Sequence, residues 1–386
     1  MQPFHNSPRI VRYMSMTGWL WLATAIVASA TELDVWFGTT TPREGGSQGI
    51  YHSRLDQETG QLTAAELAAE IQGPGFLALH PDGNVVYSVG NVGGESSVVA
   101  FSVEPSGHLS MINSQPIRDG GAAHLSTDRS GRLLMSAQYG GGSLAVFPLN
   151  TDRSVAPRKQ LLEHEGGSGV FENRQEAPHP HWVGTSPDNR FAFVPDLGLD
   201  QVIIYRLDSD RTDLRRHGVG QLPPGGGPRH MKFHPNGQFI YVLNELELSV
   251  TVFDYHTERG EMTPVQTVPT VPVKEKAKER FVSASEIRVH PTGRFVYAAN
   301  RGHDTITAMR VHDSDGQLSV IEIEPVRGSW PRNFNIDPTG RWLLAAGRDS
   351  NTIAVFEIDQ TKGDLTYTRT MIAVPTPICV LFGARG

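Results

Sequence analysis

Charged and polar side chains recur at two fixed distances from a turn that is repeated along the chain. Six residues before the proline of each turn, or before the residue that replaces it, stand Gly75, Ala123, His181, Arg229, Ser285 and Arg332. Ten residues after it stand Asn91, Tyr139, Leu197, Glu245, Arg301 and Arg348. Arginine binds carboxylate or phosphate through a planar fork of donors, and histidine and glutamate transfer protons near neutral pH. These two sets therefore indicate chemistry on an anionic substrate.

The turn belongs to a unit that occurs six times. Each unit has an apolar strand, a turn of the type His-Pro-x-Gly and a second apolar strand; a third strand and a fourth follow. The six turns occupy residues 80–83, 128–131, 186–189, 234–237, 290–293 and 337–340. Proline suits the first central position of such a turn, and glycine or asparagine suits the position with positive φ. Four strands in each repeated unit are typical of a β-propeller.

The two ends of the chain complete the count of blades. Residues 34–37 resemble a second strand without a first, and strands at 49–53 and 62–66 can follow it. Residues 377–382 resemble a first strand with nothing after it. Together these segments make one more blade, whose pairing closes the ring and removes a free sheet edge. The sequence therefore predicts an all-β, seven-bladed propeller that occupies residues 31–386 as a single domain.

Propeller geometry converts these spacings into positions. The innermost strand of each blade lines the central channel, and the repeated turn lies at one face. Residues before the first strand and after the second strand should then share the opposite face, so both sets converge at one mouth of the channel. An alternative is that the arginines bridge neighbouring blades. Two inserts are expected, one at 163–178 near the best motif and one at 271–284 that has the composition of an exposed loop or short helix.

Composition excludes several classes of protein. The chain has 34 Lys and Arg against 41 Asp and Glu, a formal charge of −7, which argues against nucleic-acid binding. One cysteine, Cys379, excludes an intrachain disulfide framework, and its apolar strand predicts a packed thiol. His179 and His181 have no visible carboxylate partner, so we predict no metal site.

The first thirty residues have the pattern of an export signal. Arg9 and Arg12 occur without an acidic residue, an apolar run covers 19–27, and residues 28–30 read Ala-Ser-Ala. This is typical of a secretory signal peptide, and the run is shorter than the ~20 residues of a membrane span. Export to the bacterial periplasm or secretion is expected. The alternative is a later start methionine and a cytoplasmic protein.

Several segments resemble the seven-bladed propeller lactonase family. The resemblance is carried by residues 179–183, 227–230, 244–246, 284–287, 300–304 and 331–334, and it extends over about residues 33–382. The family contains the propeller-type 6-phosphogluconolactonases and the fungal carboxy-cis,cis-muconate lactonizing enzymes. A histidine, two arginines and a glutamate are the proposed active-site residues of the muconate enzymes. Matched motif by motif, they fall on His181, Arg229, Glu245 and Arg301.

The resemblance implies hydrolysis of a sugar lactone, with 6-phosphoglucono-1,5-lactone as the first expectation and no metal or organic cofactor. A water would attack the ring carbonyl with His181 or Glu245 as base, while Arg229 and Arg301 hold the anionic group or the oxyanion. Candidate substrate-binding residues at or beside the two sets are Arg332, Arg348, His230, His303 and Ser285.

Two alternatives stay open. The same arginines could hold the carboxylates of a 3-carboxymuconate cyclase, and a propeller can also be a non-catalytic platform for an anionic ligand or a protein. The expected partner is a small anionic lactone or carboxylate. The oligomeric state is left open.

Overall fold

The strands form seven four-stranded antiparallel sheets in the part of the chain that this computed structural model describes, namely Met1 and residues 32–41, 46–277 and 281–384. The innermost strands of successive blades contact each other around a central channel. Thr31–Gly386 form one compact unit. The expected signal peptide, residues 1–30, lies outside the described residues apart from Met1.

The strands follow the chain blade by blade. Blade 1 takes β1 (Glu32–Thr39), β2 (Gly49–Asp56) and β3 (Glu66–Glu70). Blade 2 takes β4 (Leu77–Leu79), β5 (Val85–Val92), β6 (Glu95–Val103) and β7 (Leu109–Pro116). Blade 3 takes β8 (Ala122–Thr127), β9 (Leu133–Gln138), β10 (Ser143–Pro148) and β11 (Gln160–Glu163). Blade 4 takes β12 (Gly184–Thr185), β13 (Phe191–Asp196), β14 (Gln201–Asp208) and β15 (Asp213–Gln221).

The remaining blades keep the same order. Blade 5 takes β16 (Pro228–Phe233), β17 (Phe239–Asn244), β18 (Ser249–His256) and β19 (Glu261–Pro269). A short helix α1 (Val273–Lys276) precedes blade 6, which takes β20 (Ser283–Val289), β21 (Phe295–Arg301), β22 (Thr305–Val311) and β23 (Leu318–Pro325). Blade 7 takes β24 (Pro331–Ile336), β25 (Trp342–Gly347), β26 (Thr352–Ile358) and β27 (Leu365–Ala373). The last strand, β28 (Pro377–Phe382), is the innermost strand of blade 1.

Ring closure is as the sequence predicts. Strand β28 pairs antiparallel with β1, with Val35 opposite Phe382 and Phe37 opposite Val380. The predicted bounds of the fourth strand of this blade, 62–66, are wrong, because β3 begins only at Glu66. Leu62 instead makes an isolated bridge to Leu55 and packs half-buried against the core, which explains the apolar signal there.

Aromatic side chains connect several blades to the next one. The Tyr241 hydroxyl donates to the carbonyl of Gly316 at 3.1 Å, and that of Tyr297 donates to the carbonyl of Gly363 at 2.9 Å. The indole of Trp342 in the last blade donates to the carbonyl of Gln57 in the first at 2.9 Å. Each buried ring thus packs between sheets and satisfies its polar tip on the neighbouring blade.

The repeated turns also contact each other from blade to blade. The His234 ring is 2.9 Å from the carbonyl oxygen of Gly293, and the His290 ring is 2.8 Å from that of Gly340. A Cβ at Gly293 would meet the His234 ring at 2.4 Å, and the glycine φ is +78°. The glycine therefore serves both the positive φ and the close approach of the histidine.

A β-bulge recurs at one place in the innermost strands and aims side chains at the channel mouth. The register shifts between Pro228 and His230 in β16 and between Pro331 and Asn333 in β24. Matching shifts occur in β8, β20 and β28. A bulge leaves one residue outside the ladder and turns its side chain. In β16 and β24 that residue is an arginine, Arg229 or Arg332.

The two inserts differ in structure. Residues 164–178 contain no helix or strand, all of them being described. The second insert contains α1, as the expectation of a loop or short helix allowed. Across the described ranges, no helix is both long enough and apolar enough to span a bilayer.

Candidate active site

Glu245 lies at the centre of a cluster of arginines. It follows β17 directly and is only 5% exposed. Its Oε2 is 2.8 Å from Nε of Arg229, and its Oε1 is 3.1 Å from Nη2 of Arg301. Nη2 of Arg174 donates to the same Oε1 at 2.7 Å. Three guanidinium groups therefore surround one carboxylate.

This arrangement decides the charge of Glu245. Burial by itself would raise its pKa, but the charges of Arg301 and Arg229, then the nearby His181 ring and the charge of Arg174, hold the pKa well below the ordinary value of a glutamate. The carboxylate is therefore ionised at neutral pH and is a weak base. The position of Glu245 among the arginines suits it to orient them rather than to remove a proton from a water.

Two of these arginines also contact the backbone of blade 6, and the contact of Arg229, which belongs to blade 5, joins neighbouring blades as the alternative interpretation of the sequence expected. Arg229 donates through Nη1 to the carbonyl of Ser285, and Arg301 donates through Nη2 to the carbonyl of Ala284 at 2.9 Å. Both contacts are to the backbone of β20. The guanidinium planes are thus held on one side by Glu245 and on another by the backbone of β20, which is the next blade for Arg229 and the same blade for Arg301.

Arg332 differs from the other arginines because no hydrogen bond or ion pair with any described residue satisfies its guanidinium. Burial, then the nearby Arg301, lowers its pKa to about 10, so the side chain is still charged at neutral pH. It lines a cavity of about 70 Å³ with Arg229 and His230; the other walls are Gly75, Phe76, Ala122, Ala123 and Ile378. An unpaired cation therefore faces an enclosed space whose far side is apolar.

Two neutral histidines lie beside these arginines. His181 is 5% exposed and His230 is 2% exposed, and their ring centroids are 5.3 Å apart. Burial, then the charge of Arg229, lowers the pKa of both rings well below the usual range. Nδ1 of His181 and Nε2 of His230 have no hydrogen-bond partner among the described residues. Each ring can therefore offer a nitrogen to a ligand.

The other expected substrate-binding residues have different surroundings. Arg348 lies at the outer rim, where it pairs with Asp349 at 2.6 Å and faces Trp330, the ring that Arg301 also faces. The hydroxyl of Ser285 donates to the carbonyl of Pro331 at 2.5 Å, so this side chain links blades 6 and 7.

The structure does not bring His303 to the cluster. Its Nε2 is 3.3 Å from Oε2 of Glu275 in α1, and its Nδ1 is 2.8 Å from the hydroxyl of Thr305. The preceding Gly302, with φ of +82°, lies in the turn that carries the chain away from the mouth.

Sequence reasoning missed Arg174. It lies in the insert 163–178, at no fixed offset from a repeated turn, and only the tertiary structure brings it to Glu245. Gln175 next to it is fully buried and donates to the Asp200 carboxylate at 2.7 Å and to the Leu197 carbonyl at 2.8 Å. The only sequence signal was the closeness of this insert to the motif around His181.

Other parts of the described chain are weaker candidates for a functional site. No group of three or more His, Cys, Asp and Glu side chains within those ranges could hold a metal ion. A larger groove of about 620 Å³ opens among Gln57, Thr339 and Arg341 near the repeated turns. There Arg341 is already paired with Glu357 at 3.0 Å, so the groove lacks the unpaired cation and neutral histidines of the channel mouth.

Comparison with known proteins agrees with this fold. The chain matches, over residues 34–382, the family described as lactonase, 7-bladed beta-propeller. It is 35% identical over 350 residues to the 6-phosphogluconolactonase of Bacillus subtilis, covering 89% of this chain and 97% of that one.

Two crystal structures are also similar. The periplasmic gluconolactonase of Pseudomonas aeruginosa superposes with a TM-score of 0.84 at 30% identity, covering 92% of this chain and 100% of that one. A protein of Bacteroides fragilis, provisionally assigned as a 6-phosphogluconolactonase, superposes with a TM-score of 0.84 at 32% identity, covering 92% and 99%. These relatives support hydrolysis of a lactone. The chain belongs to the seven-bladed β-propeller lactonase family.

Proposed function

We propose that this protein hydrolyses a sugar lactone that carries an anionic group, with 6-phosphoglucono-1,5-lactone as the first substrate to test. The unpaired guanidinium of Arg332 beside the cavity is the observation that carries the proposal. Arg332 is partly buried and has no paired counter-ion among the described residues, so a phosphate or carboxylate in the cavity would gain charge-assisted hydrogen bonds from it. The relative named 6-phosphogluconolactonase supports the phosphorylated substrate.

The arginines and histidines have separate tasks in this reaction. A water attacks the ring carbonyl, and the negative charge that develops on its oxygen is stabilised by guanidinium groups that are already in place. Arg229 and Arg301 can supply that charge because Glu245 and the backbone of β20 fix their positions. Proton transfer falls to the neutral rings of His181 and His230 rather than to Glu245, whose pKa is held low by three arginines.

The experiment compares lactones that differ only in the anionic group. The purified protein would be assayed by acid release against 6-phosphoglucono-1,5-lactone and glucono-1,5-lactone, and cyclase activity would be followed separately by the loss of the ultraviolet absorbance of 3-carboxymuconate. We expect hydrolysis of the phosphorylated lactone above the spontaneous rate. Replacement Arg332→Ala should raise KM for that lactone about 10- to 100-fold, the worth of a hydrogen bond to a charged group, and should raise KM for the neutral lactone much less.

The matched control is Arg341→Ala, at a partly exposed arginine near the repeated turns, which should leave both KM values unchanged. Equal effects of Arg332→Ala on the two lactones would show that the anionic group binds elsewhere. Turnover of 3-carboxymuconate alone, or of no substrate, would contradict lactone hydrolysis.

We also propose that the protein is exported. The proposal rests on the signal-like residues 1–30 and is supported by the similar protein that is named a periplasmic gluconolactonase. N-terminal sequencing of the protein from its own cells should give a chain that begins near residue 31. A chain that still carries residues 1–30 would contradict export by a cleaved signal.

A further inference from the structure

His230 has a carboxylate partner that His181 lacks. His230 is the residue after the bulge of β16, and Glu286 occupies the matching level of β20 in the next blade. Nδ1 of His230 is 3.1 Å from Oε1 of Glu286. Both side chains are buried, with 2% and 0% of their surface exposed. The two residues therefore form a carboxylate–imidazole pair below the cluster of Glu245.

This contact determines which ring nitrogen carries the proton. A carboxylate accepts hydrogen bonds, so Nδ1 of a neutral His230 is the protonated nitrogen and Nε2 is the acceptor. That Nε2 is buried and has no hydrogen-bond partner within the described residues. His230 also lines the cavity with Arg229 and Arg332. The lone pair of Nε2 is thus the free basic group at the wall of the space where an anionic lactone would bind.

Glu286 is held firmly in this orientation. Its Oε1 accepts from the backbone N–H of Ile287 at 3.0 Å, and its Oε2 accepts from Nδ2 of Asn333 in blade 7. Nη2 of Arg288 donates to the same Oε2 at 3.4 Å. A carboxylate fixed by several donors can orient an imidazole and stabilise the imidazolium that forms when the ring accepts a proton.

His181 lacks such support. The nearby carboxylate, Glu245, is occupied by Arg174, Arg229 and Arg301, and Nδ1 of His181 has no partner among described residues. His181 can therefore hydrogen-bond a substrate, but no carboxylate in the described part of the chain contacts it to stabilise its protonated form. The difference between the two histidines lies in this one partner.

We propose that His230 is the general base of the lactonase reaction and that Glu286 is its positioning residue. The assignment rests on the proposed function. Nε2 of His230 takes a proton from the attacking water while the water oxygen bonds to the ring carbonyl carbon, and the oxyanion forms beside Arg229. The intermediate then collapses, the bond from that carbon to the ring oxygen breaks, and the imidazolium returns the proton to this oxygen to give the open-chain hydroxy acid.

The groups around His230 determine the pH at which it titrates. The first and largest effect is burial, which lowers its pKa, and the positive charges of Arg229, Lys232 and Arg288 act in the same direction. Glu245 and Glu286 carry the negative charges that face it, and the rings of His124 and His181 pack against it from blades 3 and 4. Removal of the Glu286 charge should therefore lower the pKa of His230 further.

The test is the pH profile of two variants on the phosphorylated lactone. His230→Gln should lower kcat by about 100-fold or more, which is the usual contribution of a general base. Glu286→Gln keeps the shape of the side chain, and we expect kcat to fall at least tenfold with KM within threefold. In that variant the acid limb of kcat/KM should move to lower pH by about one unit. A merely structural role would not move this limb.

The matched control is His290→Gln, at a buried histidine of the repeated turns whose ring lies 2.8 Å from the carbonyl oxygen of Gly340, away from the channel mouth. Its kcat and acid limb should stay within threefold and within a few tenths of a pH unit of the parent. If His181→Gln removes the acid limb while Glu286→Gln leaves it in place, His181 is the base and the proposal is overturned.

A second measurement does not depend on turnover. In protein labelled with ¹⁵N-histidine, the signal that disappears in His230→Gln should be that of a ring with protonated Nδ1 and unprotonated Nε2. A protonated Nε2 would overturn the assignment whether or not a lactone is hydrolysed. Failure of the wild-type protein to hydrolyse any lactone would overturn the proposed function instead, so the two failures are distinguishable.

Discussion

At the scale of single residues, the neighbours of Glu245 decide what its carboxylate can do. A glutamate at a channel mouth has the right chemistry for a general base, and the sequence allowed that role. In the structure three guanidinium groups lie within 3.1 Å of it, so its pKa is held low and its lone pairs are occupied. A glutamate so placed organises positive charge and does not accept protons.

Replacement Glu245→Gln tests this role. Loss of the charge leaves Arg229 and Arg301 buried without a counter-ion, so we expect the free energy of unfolding to fall by about 3 kcal/mol, with loss of activity. His181→Gln should reduce activity with a much smaller loss of stability. Urea denaturation at pH 7 measures the free energy of unfolding of both variants, and the lactonase assay measures their activity.

Glu247→Gln is the control for this change, because Glu247 is exposed and pairs with Lys276 at 3.2 Å on the surface. Its effect should stay within about 0.5 kcal/mol. If Glu245→Gln is as stable as this control, the carboxylate does not balance the arginines as we describe.

At the scale of elements, the segment 164–178 brings Arg174 to the site although it contains no helix or strand. It is held by buried polar contacts at both ends. Nδ1 of His164 is 2.6 Å from Asp196, and Gln175 reaches both Asp200 and the backbone of Leu197. Such contacts can order a segment that has no ladder of its own, because a buried polar group left without a partner is costly.

Gln175→Ala should release this segment. We expect a loss of about 2 kcal/mol, because the carboxylate of Asp200 and the N–H of Phe171 lose a partner, together with faster proteolysis within 164–178 and a higher KM. Arg174→Ala should raise KM without the change in proteolysis. Limited proteolysis and steady-state kinetics separate the two effects, and an unchanged cleavage rate in Gln175→Ala would contradict the anchoring role.

At the scale of the whole molecule, ring closure collects histidines from three blades in one channel. His124 and His181 each contact His230, with ring centroids 5.5 and 5.3 Å from it, and burial lowers the pKa of all three well below the usual value. The unfolded chain would protonate them near pH 6.5. The folded protein therefore binds fewer protons than the unfolded chain below that pH.

The sign of the pH dependence follows from this difference. Stability is highest above pH 6.5 and falls as the pH drops below it, with a slope approaching about 4 kcal/mol per pH unit for three such groups. Glu245 acts in another window, since its contribution is lost only below the ordinary glutamate pKa. Urea denaturation at pH 7.5, 6.5 and 5.5 measures the slope, and His124→Gln should remove about a third of it. A flat profile down to pH 5.5 would show that the histidines become charged in the folded state.

Local patterns were enough to predict the ring and part of the site. The repeated turn requires proline and glycine at fixed positions, strands require alternating apolar residues, and the unpaired strand at each end requires closure, so the seven blades could be predicted from the sequence. The same repeat predicted that His181, Arg229, Glu245 and Arg301 face one mouth. One predicted strand boundary was wrong, because Leu62 is an apolar residue that packs against the core without belonging to the strand.

The tertiary structure alone decided which of these groups touch. The bulges aim Arg229 and Arg332 toward the cavity, and an irregular segment carries Arg174 to Glu245. The contact between His230 and Glu286 joins two blades whose residues are 56 positions apart in the chain. Spacing along a chain determines the face on which a residue lies. Which side chains contact each other, which groups are charged and which histidine is free to accept a proton all depend on distances between blades. Those distances exist only when the ring is closed.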